Sequence, residues 1–296
     1  MSDRANPSAS ERKAQLAWER RRAPLAVAGA LAGALLPIAS SVWIAALTAD
    51  DRSTELTARL LFVDAHSTPL LLASLVQGLG ALALGVPLYY LYRAAAIRRD
   101  LPRVAGPTVV LGPLLYCAGV VGFQVVLSIQ ADAFAATSGR TYEEAKDLFE
   151  ASSVGVVRYV GLVAQFSIAA AFVMVGLNAM RAGLLTRFMG YLGVIVGALF
   201  ILPLFGQGPP VVQSFWLVAL AVMFLGRWPN GTPPAWGEGR AIPWPTRQEM
   251  IEQAQREREG LGAAAEPEPA TAGAAAAPAP RARTSSSRKR KRKKRR

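Results

Sequence analysis

The sequence is poor in the residues that do covalent chemistry, with one cysteine and one histidine in 296 residues. A lone thiol, Cys117, excludes an intrachain disulfide. One residue of each kind also excludes most transition-metal sites, which need several nitrogen or sulfur ligands. Zinc-ligand spacing, H-E-x-x-H, G-x-S-x-G and a phosphate-cradling glycine loop are all missing. The expectation is therefore a chain with no cofactor, no metal and no catalytic constellation, and so not an enzyme. Charge is scarce too, at 18% of residues against 52% hydrophobic, and the uncharged residues gather in long blocks. Such blocks are the mark of helices in lipid rather than of an amphipathic soluble core.

Crossing the hydrocarbon takes about 20 apolar residues in helix, because backbone amides in oil must bond to one another. Six blocks meet this pattern, at 25–47, 69–92, 104–129, 157–180, 188–205 and 211–226. The last two are the shortest and are separated only by Gly206 to Pro210; a re-entrant pair is their rival reading. A cleaved signal peptide is the rival for the first block, but its apolar stretch exceeds the usual ~7–15 residues of a signal core. The fold expected is all-α: a polytopic bundle of six transmembrane helices over 25–226, after a cytoplasmic N-terminal segment at 1–24. A linker rich in proline, glycine and tryptophan, with a short charged helix, follows at 227–262. A disordered alanine- and proline-rich linker and a polybasic tail fill 263–296, a composition that cannot bury a core.

Orientation follows from the basic residues beside the blocks. Arg4, Arg12, Lys13, Arg20 to Arg22, Arg93, Arg98, Arg99, Arg103, Arg181 and Arg187 fall on one side, against Arg52, Arg59, Arg140, Lys146 and Arg158 on the other. The richer side is expected to be cytoplasmic, with both termini on it, in a bacterial cell membrane. Between the blocks, capping boxes at Ser8/Glu11, Thr141/Glu144 and Thr246/Glu249 are expected to open helices. The second should run through Phe149 with Tyr142, Ala145 and Phe149 on its apolar face. Residues 53–63 read as a short helix lying on the membrane with Leu56, Leu60 and Val63 down.

The net charge of +13 belongs to the tail: without the eleven basic residues of 281–296, 22 basic residues stand against 20 acidic ones. The run Arg288, Lys289, Arg290, Lys291, Arg292, Lys293, Lys294, Arg295 and Arg296 has no interleaved aromatics, which disfavours base stacking and a nucleic-acid partner. Anionic inner-leaflet lipid is the expected contact, at about 1 kcal/mol per basic residue near the surface. Enforcement of topology and non-specific polyanion binding are the other readings.

No Asp, Glu, Lys or Arg lies inside the six blocks away from their ends, which argues against ion coupling or a proton relay. The blocks do hold Gln77, Gln124, Gln165 and Gln213, one each in the second, third, fourth and sixth, with Ser128, Ser167 and Ser214 at similar depths. Two readings stand. The first, which the sequence favours, is hydrogen-bond glue between helices; the second is a polar pocket for a small neutral or zwitterionic solute. Asn178 reads as glue, and His66 as a solvated loop residue. Small residues four apart, Gly29/Gly33, Ala81/Gly85, Ala118/Gly122 and Gly193/Gly197, mark close helix contacts within the bundle or between copies of the chain. Pro37, Pro87 and Pro203 are expected to kink their helices.

The run from Gly183, Leu184, Leu185, Thr186 and Arg187 into Phe188, Met189, Gly190, Tyr191, Leu192, Gly193 and Val194 resembles uncharacterised bacterial six-span integral membrane proteins. In these a short basic turn likewise precedes a glycine-rich fifth helix. The resemblance covers residues 183–199, implies six helices and assigns no catalytic residue. Taken together, the sequence leads to a non-enzymatic structural, scaffolding or partner-binding membrane protein whose tail meets anionic lipid. Its partners are lipid, with a second copy or another membrane protein also open. The alternative is a small-solute transporter or ligand sensor with an outward-facing polar pocket.

Overall fold

The computed structural model describes residues 8–49, 55–201, 210–229, 231–244, 248–249, 251–252 and 255–256. Among the described residues the regular structure is all helix: α1 (Ala9–Leu47), α2 (Leu56–Ala65), α3 (Ser67–Arg98), α4 (Ala105–Ala136), α5 (Tyr142–Phe149), α6 (Ser152–Arg181), α7 (Arg187–Ile201), α8 (Val211–Phe224) and α9 (Ala235–Glu238). Four of them, α1, α3, α4 and α6, are long and apolar enough to cross a membrane. The fifth and sixth apolar blocks correspond to α7 and α8, which are shorter. Pro203 and most of the turn between these helices lie outside the described residues, as do Thr246 and the polybasic tail. The chain divides into two compact units, Met1–Trp244 and Pro245–Arg296; the described residues of the second are helical.

Sequence chemistry sets where the helices begin. Ser8 accepts the Glu11 backbone N–H while Glu11 accepts the Ser8 N–H, closing the capping box that opens α1. The hydrogen bonds from Ser8 hold the Glu11 carboxyl below the usual carboxylate range. Its contribution to the helix start is therefore present above the ordinary pKa and fades as pH falls. From there α1 runs unbroken through Pro24 and Pro37, so the juxtamembrane segment and the first apolar block are one helix. Thr141 and Glu144 close the same box for α5, whose Ala145 is buried while Tyr142 stays exposed.

The long elements α1, α3, α4, α6, α7 and α8 pack as a ring in that order, with α8 returning to α1 and α3 also touching α6 across the middle. Small residues permit the close approaches. A methyl group at Gly33 would meet the Leu84 backbone at 2.9 Å, and one at Gly197 would meet the Ala169 carbonyl at 2.8 Å. Gly85 faces Pro113 and Gly193 faces the Trp216 ring. These glycine faces serve helix pairs inside one chain. The outward faces remain apolar: Leu35, Val42, Leu79, Ile129, Val163, Phe166 and Ile195 are all exposed. Exposed stripes of this extent suit lipid and would be a liability in water.

The interior has two hydrophobic cores. One, built on Leu84, Leu88, Phe172, Val175, Trp216 and Leu217, fills the half near α9. The other joins Leu60 and Val63 of α2 to Leu70, Leu127, Phe134 and Ala145 at the opposite end. The expected membrane-surface helix is thus α2, but its Leu60 and Val63 side chains are buried against α4 rather than presented to lipid.

The described part of the proline- and tryptophan-rich linker packs on the helices. Residues 231–244 fold back on the bundle: Trp236 donates its indole N–H to the Leu184 carbonyl at 2.9 Å and Trp244 to Leu185 at 2.8 Å. The Ile242 N–H reaches the Ala182 carbonyl at 3.1 Å. Leu184 and Leu185 lie in the connection between α6 and α7, where their carbonyls can accept the indole donors.

Candidate functional site

Two adjoining cavities lie between the cores. The smaller, about 240 Å³, is lined by Gln77, Gln165 and Gln213 together with Pro37, Ser41 and Tyr116. The larger, about 680 Å³, takes in Gln77, Gln124, Gln165, Tyr116, Arg59 and Arg158. Ile44, Gln77, Tyr116 and Gln165 belong to both. All four glutamines expected from the sequence therefore reach the walls of one cavity system, each from a different helix. Leu84 and Ile168 of the α9-end core close the smaller cavity. Val63, Leu70 and Leu127 of the other core line the larger one.

The amides differ in their partners. Gln124 donates to Ser128 Oγ at 3.3 Å, one turn along its own helix. Gln77 of α3 lies beside the Tyr116 hydroxyl of α4 on the shared cavity wall. Gln165 and Gln213 carry no hydrogen bond among the described residues. Helix-to-helix glue through a side-chain pair thus describes at most one of the four. The serines divide likewise: Ser214 Oγ donates to the Ala34 carbonyl at 2.8 Å and ties α8 to α1. Asn178 satisfies itself on the Met174 carbonyl of α6, also at 2.8 Å. His66 stacks on Phe62 and sits at 3.0 Å from the Phe62 carbonyl at the α2–α3 joint, so it is partly enclosed.

A second polar cluster lies at the α9 end, beyond the assigned apolar blocks. Glu19 of α1 and Arg98 of α3 form an ion pair with 4% and 0% of their side chains exposed. Arg98 Nη2 binds the second Glu19 carboxylate oxygen at 3.1 Å and the Ala235 carbonyl at 2.9 Å, and Nη1 binds the Ala94 carbonyl at 2.9 Å. Gln15 donates to Glu19 at 2.7 Å, and the Tyr90 hydroxyl donates to the Glu19 carbonyl at 3.1 Å. Tyr90 stacks between Trp18 and Trp236, with ring centroids 5.5 Å apart on each side. This knot joins α1, α3 and α9. Sequence reasoning missed it because it counted Arg98 only as a topology charge; the available signal was an acid, Glu19, standing alone ahead of Arg20, Arg21 and Arg22.

The residues of the polybasic tail, Arg288 to Arg296, lie outside the described residues. The architecture defines the class: an all-helical chain with four helices of membrane-crossing length and apolar outer faces. Comparison of the chain with protein-family models, with curated proteins and with solved structures found no match.

Proposed function

We propose that this chain is a six-span, non-enzymatic membrane protein with both termini in the cytoplasm, and that its glutamine-lined cavity, in the outer half, binds a small polar solute. One observation carries the reading: Gln165 and Gln213, on facing helices, line a cavity without hydrogen-bond partners among the described residues. An amide left unpaired in an apolar interior costs about 1–3 kcal/mol, so these side chains must meet water or a ligand. The wall chemistry of amides, a phenol and guanidinium groups suits recognition, and among the described residues none that lines it is a carboxylate, thiol or imidazole that would act as base or nucleophile. Six spans and the orientation are supported by the alternating run of α1, α3, α4, α6, α7 and α8 and by the one-sided basic residues.

The test is thiol accessibility. In a Cys117→Ala background, Gln165→Cys should react with a membrane-impermeant cationic methanethiosulfonate added outside intact cells. Reaction only from the cytoplasmic face would overturn the orientation, and reaction from neither face would overturn the solvated cavity.

The tail reading rests on its nine consecutive basic residues, each worth about 1 kcal/mol at an anionic surface. The full chain in neutral nanodiscs is expected to bind phosphatidylglycerol vesicles, and to release them as salt is raised. Deleting 281–296 should abolish that binding; equal binding by both forms would exclude a lipid role.

A further inference from the structure

We propose that the glutamine cavity admits organic anions, holding a carboxylate or phosphate group at a mouth built by Arg59 and Arg158. This rests on the cavity being solvated, as proposed above, and adds the charge class of what enters it. Arg59 belongs to α2 and Arg158 to α6, yet both line the larger cavity. Both guanidinium groups sit over the same ring, Phe149, at 6.0 and 5.3 Å from its centroid. Neither forms an ion pair among the described residues, and both side chains are exposed.

Two like charges gathered on one aromatic ring repel each other, and among the described residues no acidic residue lines the cavity to offset them. A concave site with low-dielectric walls and one sign of charge concentrates the opposite ion. Besides the arginines the wall combines apolar Leu70, Val120, Phe123 and Leu127 with the amides of Gln77, Gln124 and Gln165. A ligand that fits these walls carries an anionic head and a largely apolar body, with room for a hydrogen-bonding group beside the amides. A soluble organic acid and an anionic lipid headgroup share the head chemistry.

Rates at Gln165→Cys with Cys117→Ala decide it, with the full chain in phosphatidylcholine nanodiscs. The probes are the anionic sulfonatoethyl and the cationic trimethylammonioethyl methanethiosulfonates, each normalised to its rate with a free thiol in solution. The anion-to-cation ratio should exceed one and should fall about ten-fold in the Arg59→Gln, Arg158→Gln double variant. If the two arginines only clasp α5 to its neighbours, their loss changes both rates together and leaves the ratio unmoved, which overturns the proposal. Absence of reaction with either probe sinks the solvated cavity itself. Protection of the thiol by octanoate assigns the site to soluble acids, and protection by phosphatidylglycerol placed in the nanodisc assigns it to lipid. Protection by neither overturns anion binding.

Discussion

Arg98→Ala is expected to cost about 3–5 kcal/mol of stability, the largest loss from any single side-chain truncation considered for this chain. The reason is what stays behind. Arg98 supplies donors to both Glu19 carboxylate oxygens and to the Ala94 and Ala235 carbonyls. Without it, a carboxylate that is 4% exposed keeps only Gln15 as a side-chain donor. An unpaired buried charge is far more costly than a missing pair, so replacing both partners by methionine should recover most of the loss. Arg98→Lys should not, because one ammonium cannot reproduce the planar fork across two carboxylate oxygens and a carbonyl. Unfolding of the purified protein in mixed micelles, titrated with a denaturing detergent, compares the three variants with the parent chain. A loss under about 1 kcal/mol for Arg98→Ala would mean that water reaches Glu19 and that the pair behaves as a surface ion pair.

Gly183→Ala is expected to detach the α9 segment while leaving the bundle intact. Gly183 has φ +77°, in the left-handed region, where a side chain costs about 1–2 kcal/mol. A methyl group there would also collide with the Ile242 carbonyl. Together the two effects break the backbone bond from Ile242 to Ala182 and pull Trp236 and Trp244 off the Leu184 and Leu185 carbonyls. Arg240 becomes open to trypsin at least about ten-fold faster, since each 1.4 kcal/mol of opening free energy is a factor of ten in the open population. Tryptophan emission should shift to the red in parallel. Unchanged cleavage at Arg240 would mean that the aromatic stack on Tyr90 and the Arg98 bond to the Ala235 carbonyl suffice to hold the segment. Because Arg98 binds the Ala235 carbonyl, detachment should also weaken the Glu19–Arg98 knot, so the two variants are expected to be non-additive.

Much of this architecture was open to reading in one dimension. Capping boxes at Ser8/Glu11 and Thr141/Glu144 set the starts of α1 and α5 because they are short-range hydrogen-bond patterns. The apolar blocks set the long helices because lipid leaves backbone amides no other partner. The small residues at Gly33, Gly85 and Gly197 marked close contacts, although not which helix they contact. The four glutamines were visible as a set at one depth, since depth is counted along the chain.

What the amino-acid sequence by itself determined here is whatever depends on spacing along the chain: the helices, their apolar faces, the basic asymmetry and the level of the glutamines. Only the tertiary structure decided what depends on which side chains meet across helices. Arg59 and Arg158 come together on Phe149, and Glu19 finds Arg98 at a separation of 79 residues. Trp236, which the sequence placed only in a linker, closes over Tyr90. The physical reason is rotation about the helix axis. Composition and hydropathy establish that a residue lies in a helix and at what height, but the face it turns, and the neighbour it meets there, follow from how the packed helices settle against one another.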